Sequence, residues 1–286
     1  MAAGDLGSGD SILRKEFVDT IIKAGVLQKE VLKDVFMIKP VDSDNVSYYT
    51  ETGTFMTAAG HIGRLAGFPV DFLTHTKSTQ YLRKAGLETE ISWEDENSDN
   101  IDMITRSLLK VAASVAHVVN VGMYNAISDA TGIAGTVTIP TTGDGWNWDS
   151  ATRAGRNPAD QIARAISLVE ENNYEADTIL VNPYDFGYMI SNANLSGAYE
   201  AASPANIRSG RMGQLLGLNV IKSNSVRQDE AIVMASKLAG TYAVGKSLAT
   251  EIIDNPGISK VIRAWEWGIA YITDPLAIAK ISNTKT

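Results

Sequence analysis

The segment Gly240 to Ser247 matches G-x-x-x-x-G-K-[ST], a spacing that cradles phosphates when a strand precedes it and a helix follows. The flanking residues do not suit that chemistry. Tyr242, Ala243 and Val244 read as strand, and the stretch after Ser247 meets Asn255 and Pro256 within two helical turns. Only 39 residues follow Ser247, too few for the parallel sheet and Mg²⁺-binding Asp that such enzymes use. The expected structure here is a strand, a glycine turn and an exposed Lys246.

Other reactive side chains are no better grouped. The three histidines, His61, His75 and His117, are far apart in sequence, and no carboxylate lies at metal-ligand spacing from the first two. His117 falls on an uncharged helical stretch and reads as a packing residue. Gly143 to Asp149 (Gly-Asp-Gly-Trp-Asn-Trp-Asp) is rich in oxygen ligands but misses the EF-hand spacing, so its tryptophans are expected to pack locally or against a neighbouring chain. Glu94, Asp95, Glu96, Asp99 and Asp102 precede or open a long helix, where acids stabilise the positive end. No nucleophile elbow or Ser/His/Asp order is present. No catalytic, cofactor-binding or metal-ligating residue is expected, and by exclusion the chain is not expected to be an enzyme.

Composition narrows the classes further. The 286 residues carry 33 acids and 25 Lys or Arg, a net charge of −8, whereas free nucleic-acid binders are more often basic. Cysteine is absent, which excludes disulfides, thiolate zinc sites and a Cys nucleophile. The 24 glycines and 8 prolines argue against a disordered or fibrous chain. The N-terminus has no basic region followed by an apolar one, so no signal peptide is expected. The most apolar stretch, 111–124, is short and interrupted by Ser114, His117 and Asn120, so no membrane helix is expected either.

The elements that must carry these residues read as α+β. Asp10 or Ser11 can cap a helix to about Ala24, with Ile12, Phe17, Ile21 and Ile22 on one face and Gly25 as its stop. A short helical piece with Val31, Leu32 and Val35 on a stripe follows, then a strand over 35–41 ending at Pro40. Residues 42–97 alternate weakly, contain many glycines, and close on Leu87 to Trp93 as a strand, which suggests a long hairpin or extended loop. A long helix over 98–130 has Ile101, Ile104, Leu108, Val111, Val115, Val118 and Met123 on its stripe, and Lys110 is the only formal charge from Ser107 to Ser128. So little charge means a helix covered on most sides, by a large domain or by neighbouring chains. Asn157-Pro158 and Asn182-Pro183 are helix starts. Strands are expected at 136–139, 178–181, 215–221, 231–234 and 242–244, then over Val261 to Thr273 and Leu276 to Ile281.

The order of these parts resembles the major capsid protein of tailed double-stranded DNA bacteriophages, the Hong Kong 97-type fold. The resemblance rests on Leu87 to Asp95 leading into the long helix, Tyr174 to Asp185 with its strand and Asn-Pro, Leu215 to Asn224, and the closing Ala243 to Ile281 with Asp274-Pro275. It covers nearly the whole chain from about residue 10. It implies an N-terminal arm (1–35), a peripheral (P) domain (36–41, 92–135 and 246–286) with spine helix 98–130, an extended (E) loop (42–91) and an axial (A) domain (136–245). It implies a structural protein without cofactors that self-assembles as pentamers and hexamers into an icosahedral virion capsid around double-stranded DNA, assembled in the host cytoplasm. Portal and decoration proteins are implied partners, and no membrane. Many relatives carry a long N-terminal scaffold segment; about 35 residues precede the first strand here, so the resemblance implies a separate scaffolding protein or none. Some relatives join a loop Lys to a neighbour's Asn, which makes Lys77, Lys84 and Asn255 crosslink candidates. Arg14, Lys15, Lys23, Lys29 and Lys33 could place positive charge inside a shell, beside nearby acids. Two other functions stay open: an encapsulin-type nanocompartment shell of the same fold, and a nucleotide-binding enzyme acting through Gly240 to Ser247.

Overall fold

A computed structural model describes residues 15–27, 30–51, 61–64, 66–68, 70, 75–97, 101–140, 147–150, 156–191 and 214–285. The expected cap at Asp10 or Ser11, and Arg14, Lys29, Asp99, Gly143, Asp144 and Trp146, lie outside the described residues.

The helices are α1 Lys15–Leu27, α2 Trp93–Asn97, α3 Ile101–Ser128, α4 Pro158–Glu170 and α5 Pro183–Ile190. Strands β1 Met37–Pro40, β10 Gly240–Asn255, β11 Ser259–Ile272 and β4 Arg83–Ser92 form a four-stranded sheet in that order. A six-stranded mixed sheet has the order β5 Gly135–Thr138, β12 Ile278–Ser282, β9 Glu230–Met234, β6 Thr178–Val181, β8 Leu218–Lys222, β7 Gln214–Leu215. Strands β2 Asn45–Glu51 and β3 His75–Tyr81 pair only with each other.

Helix α3 is the spine. Its buried face is Ile104, Leu108, Val111, Val115, Val119, Met123 and Ile127. The expected stripe used Val118, which instead points outward at 54 % exposure, because steps of four after Val115 carry the buried face to Val119. By length and composition Ile104–Ser128 could also cross a membrane, contrary to the expectation from 111–124; half of its apolar window is buried in this fold. Helix α1 lies on α3 through Val18, Ile22 and Val26, which cluster with Leu108, Ala112 and Val115. Gly25 does not end α1. A Cβ there would sit 3.0 Å from the Ala112 Cβ, so the missing side chain is what allows the two helices to approach. Beyond it, the expected helical piece is a single 3-10 turn, Lys33–Val35.

The four-stranded sheet covers the other side of α3. In β11, Ile262, Ala264 and Glu266 are buried, while Val261, Arg263, Trp265 and Trp267 are partly open, the two-residue period of a half-buried strand. Strands β10 and β11 form a long ribbon closed by a turn with Gly257 at φ 75°. Residues 83–91, expected within the extended loop, run on through Ser92 as β4 of this sheet, paired with β11 from Arg83↔Gly268 to Ser92↔Ser259. The expected boundary at 245/246 falls inside β10.

In the six-stranded sheet, β9 and β6 are buried along their whole length, which suits the apolar runs Ala231 to Met234 and Ile179 to Val181. Helix α4 lays Ile162, Ala165 and Val169 on it. Both Asn-Pro starts work as caps: the Asn157 Oδ1 accepts from the Asp160 N–H at 3.4 Å and the Asn182 Oδ1 from the Tyr184 N–H at 2.9 Å. Trp148 packs locally, fully buried, its indole N–H donating to the Gln161 Oε1 at 2.5 Å. Strand β12, expected with residues 246–286 in the peripheral part, lies inside this second sheet between β5 and β9.

Candidate assembly surface

The hairpin β2–β3 is mostly uncovered. It holds seven cross-strand pairs, from Asn45↔Tyr81 to Glu51↔His75, and a lone two-stranded hairpin is marginal in water. Its base is fixed to the body by buried Val46 and by Tyr48 stacked on Tyr271 at 4.3 Å, and the Gln80 amide of β3 holds that tyrosine by donating to its Oη at 3.2 Å. Even at the base, Tyr81 is 71 % exposed; further out Tyr49 is 58 % exposed, and in the segment joining the two strands Phe68 is 82 % and Val70 77 % exposed.

Further open apolar residues lie on other elements. Met37 and Ile38 stand out on β1, an edge strand exposed at every residue. Trp93 and Ile258 are exposed at the far end of the four-stranded sheet, where the Trp93 N–H donates to the Ile258 carbonyl at 3.0 Å. Leu109 and Val118 stand on the open side of α3. Large apolar side chains left this open are candidate contacts for another molecule.

The reactive side chains are not gathered. The pattern Gly240 to Ser247 lies entirely within β10, with no loop and no following helix, which overturns the nucleotide-cradle reading. The expected glycine turn is absent too. Gly245 sits at a register shift of the ribbon because a Cβ would come 2.6 Å from the Leu82 Cδ2 and 2.7 Å from the Trp267 ring. Lys246 is exposed, its ammonium 5.1 Å from the centre of the Trp265 ring. Lys246→Ala is therefore expected to change stability by at most about 1 kcal/mol. Thermal melts with and without ATP check this; an ATP-induced rise in melting temperature that the variant loses would restore the nucleotide reading.

His117 is exposed rather than packed, its Nδ1 3.3 Å from the Ser225 Oγ; His75 meets the edge of Tyr49, and His61 is exposed. Among the described residues no group of three or more His, Asp or Glu could hold a metal. In the acidic run, Asp95 has a capping role: its N–H donates to the Ser92 Oγ at 3.1 Å, and the Ser92 hydroxyl donates back to the Asp95 Oδ2 at 2.9 Å. Of the crosslink candidates, Lys77 is exposed on β3 and Asn255 is exposed at the end of β10, while Lys84 lies 4.2 Å over the Trp265 ring.

Two buried polar clusters escaped the sequence reading. The Lys33 ammonium bridges the Glu30 Oε2 at 2.6 Å and the Glu266 Oε1 and Oε2 at 2.7 and 2.8 Å, and the Tyr242 hydroxyl donates to the Glu266 Oε1 at 2.9 Å. Lys33 is thus an internal partner, not a charge on a shell wall; Lys23 pairs with Asp19. In the second cluster, Glu230 accepts from the Tyr124 hydroxyl at 2.5 Å and the Ser128 hydroxyl at 3.1 Å, and pairs with Lys280 at 2.6 Å. Burial alone would push the Glu230 carboxyl up, but Lys280 and Tyr124 hold it below the ordinary glutamate value. Glu266 did leave a signal: it is a charge on the inward-facing register of a strand whose outward positions are Trp265 and Trp267.

The model of the phage capsid protein family matches residues 76–281, from β3 into β12. The chain belongs to the phage capsid protein family. Solved structures of capsid proteins share its fold. The virus-like particle from Pyrococcus furiosus aligns with a TM-score of 0.65 at 10 % identity, covering 93 % of this chain and 98 % of that one. The capsid of the cyanophage P-SCSP1u aligns at 0.65 and 12 %, covering 88 % and 87 %, and the capsid of a native GTA particle at 0.62 and 13 %, covering 90 % and 91 %. A search of curated proteins gives no match. The α+β capsid protein therefore has the Hong Kong 97-type fold that the order of its parts implied.

Proposed function

We propose that this capsid protein is the major shell subunit of a tailed bacteriophage, assembling as pentamers and hexamers into an icosahedral capsid that encloses double-stranded DNA. The observation that carries the reading is the hairpin with its connection, whose Tyr49, Phe68, Val70 and Tyr81 the subunit leaves uncovered. A second copy related by closed symmetry can cover them, and each such contact is then repeated around the shell. In this reading α3 with the four-stranded sheet is the peripheral domain, the six-stranded sheet with α4 and α5 the axial domain, β2–β3 with its connection the extended loop, and α1 with the turn after it the arm. The net charge of −8 fits a container whose DNA keeps its own counterions and is not gripped by sequence. Scaffolding, portal and decoration proteins are the further partners this reading calls for, with assembly in the host cytoplasm.

A second reading, an encapsulin-type compartment, is favoured by one observation: the Pyrococcus furiosus virus-like particle aligns over nearly its entire chain. Electron microscopy of purified particles, with nuclease treatment, separates the two. Closed icosahedral particles with nuclease-resistant DNA support the phage shell. Closed particles filled with protein and free of DNA support the compartment. Monomers or dimers at every concentration and salt overturn both. On denaturing gels of the same particles, a ladder abolished by Lys77→Arg marks isopeptide bonds from Lys77 to Asn255 of a neighbour, and a single band excludes them.

A further inference from the structure

The cluster around Lys33 joins two separate parts of the chain. Glu30 and Lys33 belong to the segment that follows α1, whereas Glu266 is on β11 and Tyr242 on β10. One ammonium thus serves two carboxylates, both nearly withdrawn from water, with side-chain exposures of 4 % for Glu30 and 1 % for Glu266. Glu266 is well supplied, with both oxygens bonded to Lys33 and a third bond from the Tyr242 hydroxyl. Glu30 is not. Its Oε2 meets Lys33, but its Oε1 is buried without a hydrogen-bond partner. With both acids ionised the cluster keeps one uncompensated negative charge, and the orphaned oxygen is where a proton relieves it.

The groups facing Glu30 are Lys33 on its own turn, Glu266 from β11 and Tyr242 from β10. From α3 the turn meets apolar residues, Val119 and Met123, packed with Leu32 and Val35. Asp19 and Lys23 on α1 pair with each other. We propose that Glu30 is a proton-operated latch that holds the N-terminal arm on the four-stranded sheet when protonated and loosens it when ionised.

Burial raises the Glu30 carboxyl to about 7 from 4.5, against the pull of Lys33. A carboxyl raised in the docked state binds its proton more tightly there than in the released arm. The extra docking is complete below about pH 4.5 and is lost as pH rises through about 7. Between pH 6 and pH 8 the equilibrium for local opening should shift by about tenfold toward release. This inference does not depend on the shell reading. If the arm clasps a neighbour, however, the same proton sets how many arms are available to do so.

Hydrogen–deuterium exchange on the full chain at pH 6 and pH 8, expressed as protection factors, tests it. In the wild type, amides over 18–36 should lose about tenfold in protection at pH 8 while those of β6 and β9 do not change. Glu30→Gln, a mimic of the protonated acid, should stay protected at both pH values. Glu266→Gln leaves one carboxylate per ammonium, so it should keep the arm docked and remove the pH dependence. Equal protection in the wild type at the two pH values overturns the latch, as does an undiminished tenfold change in either variant.

Discussion

Phe68→Ser together with Val70→Ser should leave a folded, soluble subunit that no longer closes particles. Both side chains are almost entirely exposed in the single chain, so their removal takes nothing from its core. In a shell they are the natural residues for a neighbour to cover, and burying a large apolar side chain stabilises by about 1.5–3 kcal/mol. Losing two weakens every subunit contact of that kind by at least about 3 kcal/mol, which raises the concentration needed for assembly by about a hundredfold or more. Sedimentation and electron microscopy at wild-type assembly concentration, with circular dichroism to confirm folding, decide the matter. Normal particles from the double variant would remove the loop from the assembly surface.

The second large effect concerns the body of the subunit. Tyr124 and Ser128 are on the spine α3, Glu230 opens β9 and Lys280 is on β12, so their cluster ties the spine to the six-stranded sheet. Lys280→Met strands the Glu230 carboxylate with two neutral donors and the mostly exposed Arg227, 3.6 Å away. Breaking one side of a buried pair costs about 3–5 kcal/mol, a large share of a domain's stability. Urea unfolding at neutral pH should show this loss, and adding Glu230→Gln to Lys280→Met should recover much of it. The folded-state pKa of Glu230 lies below 4.5, so the wild-type contribution is present above that pH and lost as pH falls through the depressed value. The gap between wild type and Lys280→Met should therefore narrow under acid. A gap that is unchanged at acid pH would show that the loss comes from packing alone.

The parts that local chemistry dictates were legible. The two Asn-Pro caps, the apolar run 179–181 and the long helix with Lys110 as its only formal charge from Ser107 to Ser128 each carry their own local signal. What escaped depends on distant partners. Gly25 and Gly245 look like stops, yet both are glycine because Ala112 and Trp267 press against them. Val118 and Val119 are chemically alike, and only the packing around α3 selects the second. Strand β10 reads as a strand ended by a turn because Gly245 suggests one; pairing with β1 and β11 holds it extended. The candidate surface is legible as an extended glycine-rich loop, but its limits are not, since 83–91 is tied down by β11. The two buried ionic clusters join residues up to 233 positions apart, beyond any local pattern.

The place of β10, β11 and β12 also constrains how the protein is made. The four-stranded sheet has β1 and β4 waiting on partners about 200 and 170 residues further along, and the six-stranded sheet has β5 waiting on β12 about 140 residues later. A ribosome delivers residues 37–140 long before 240–282 exist, so neither sheet can close until synthesis has almost reached residue 282. Until then α3 and the early strands lack the surfaces that bury them, and contacts this distant close slowly. Nascent chains cannot enter a lattice half-made, because the body that presents the hairpin forms only when the late strands arrive. A truncation anywhere upstream of β12 yields no smaller shell subunit, only an unfinished sheet open to aggregation.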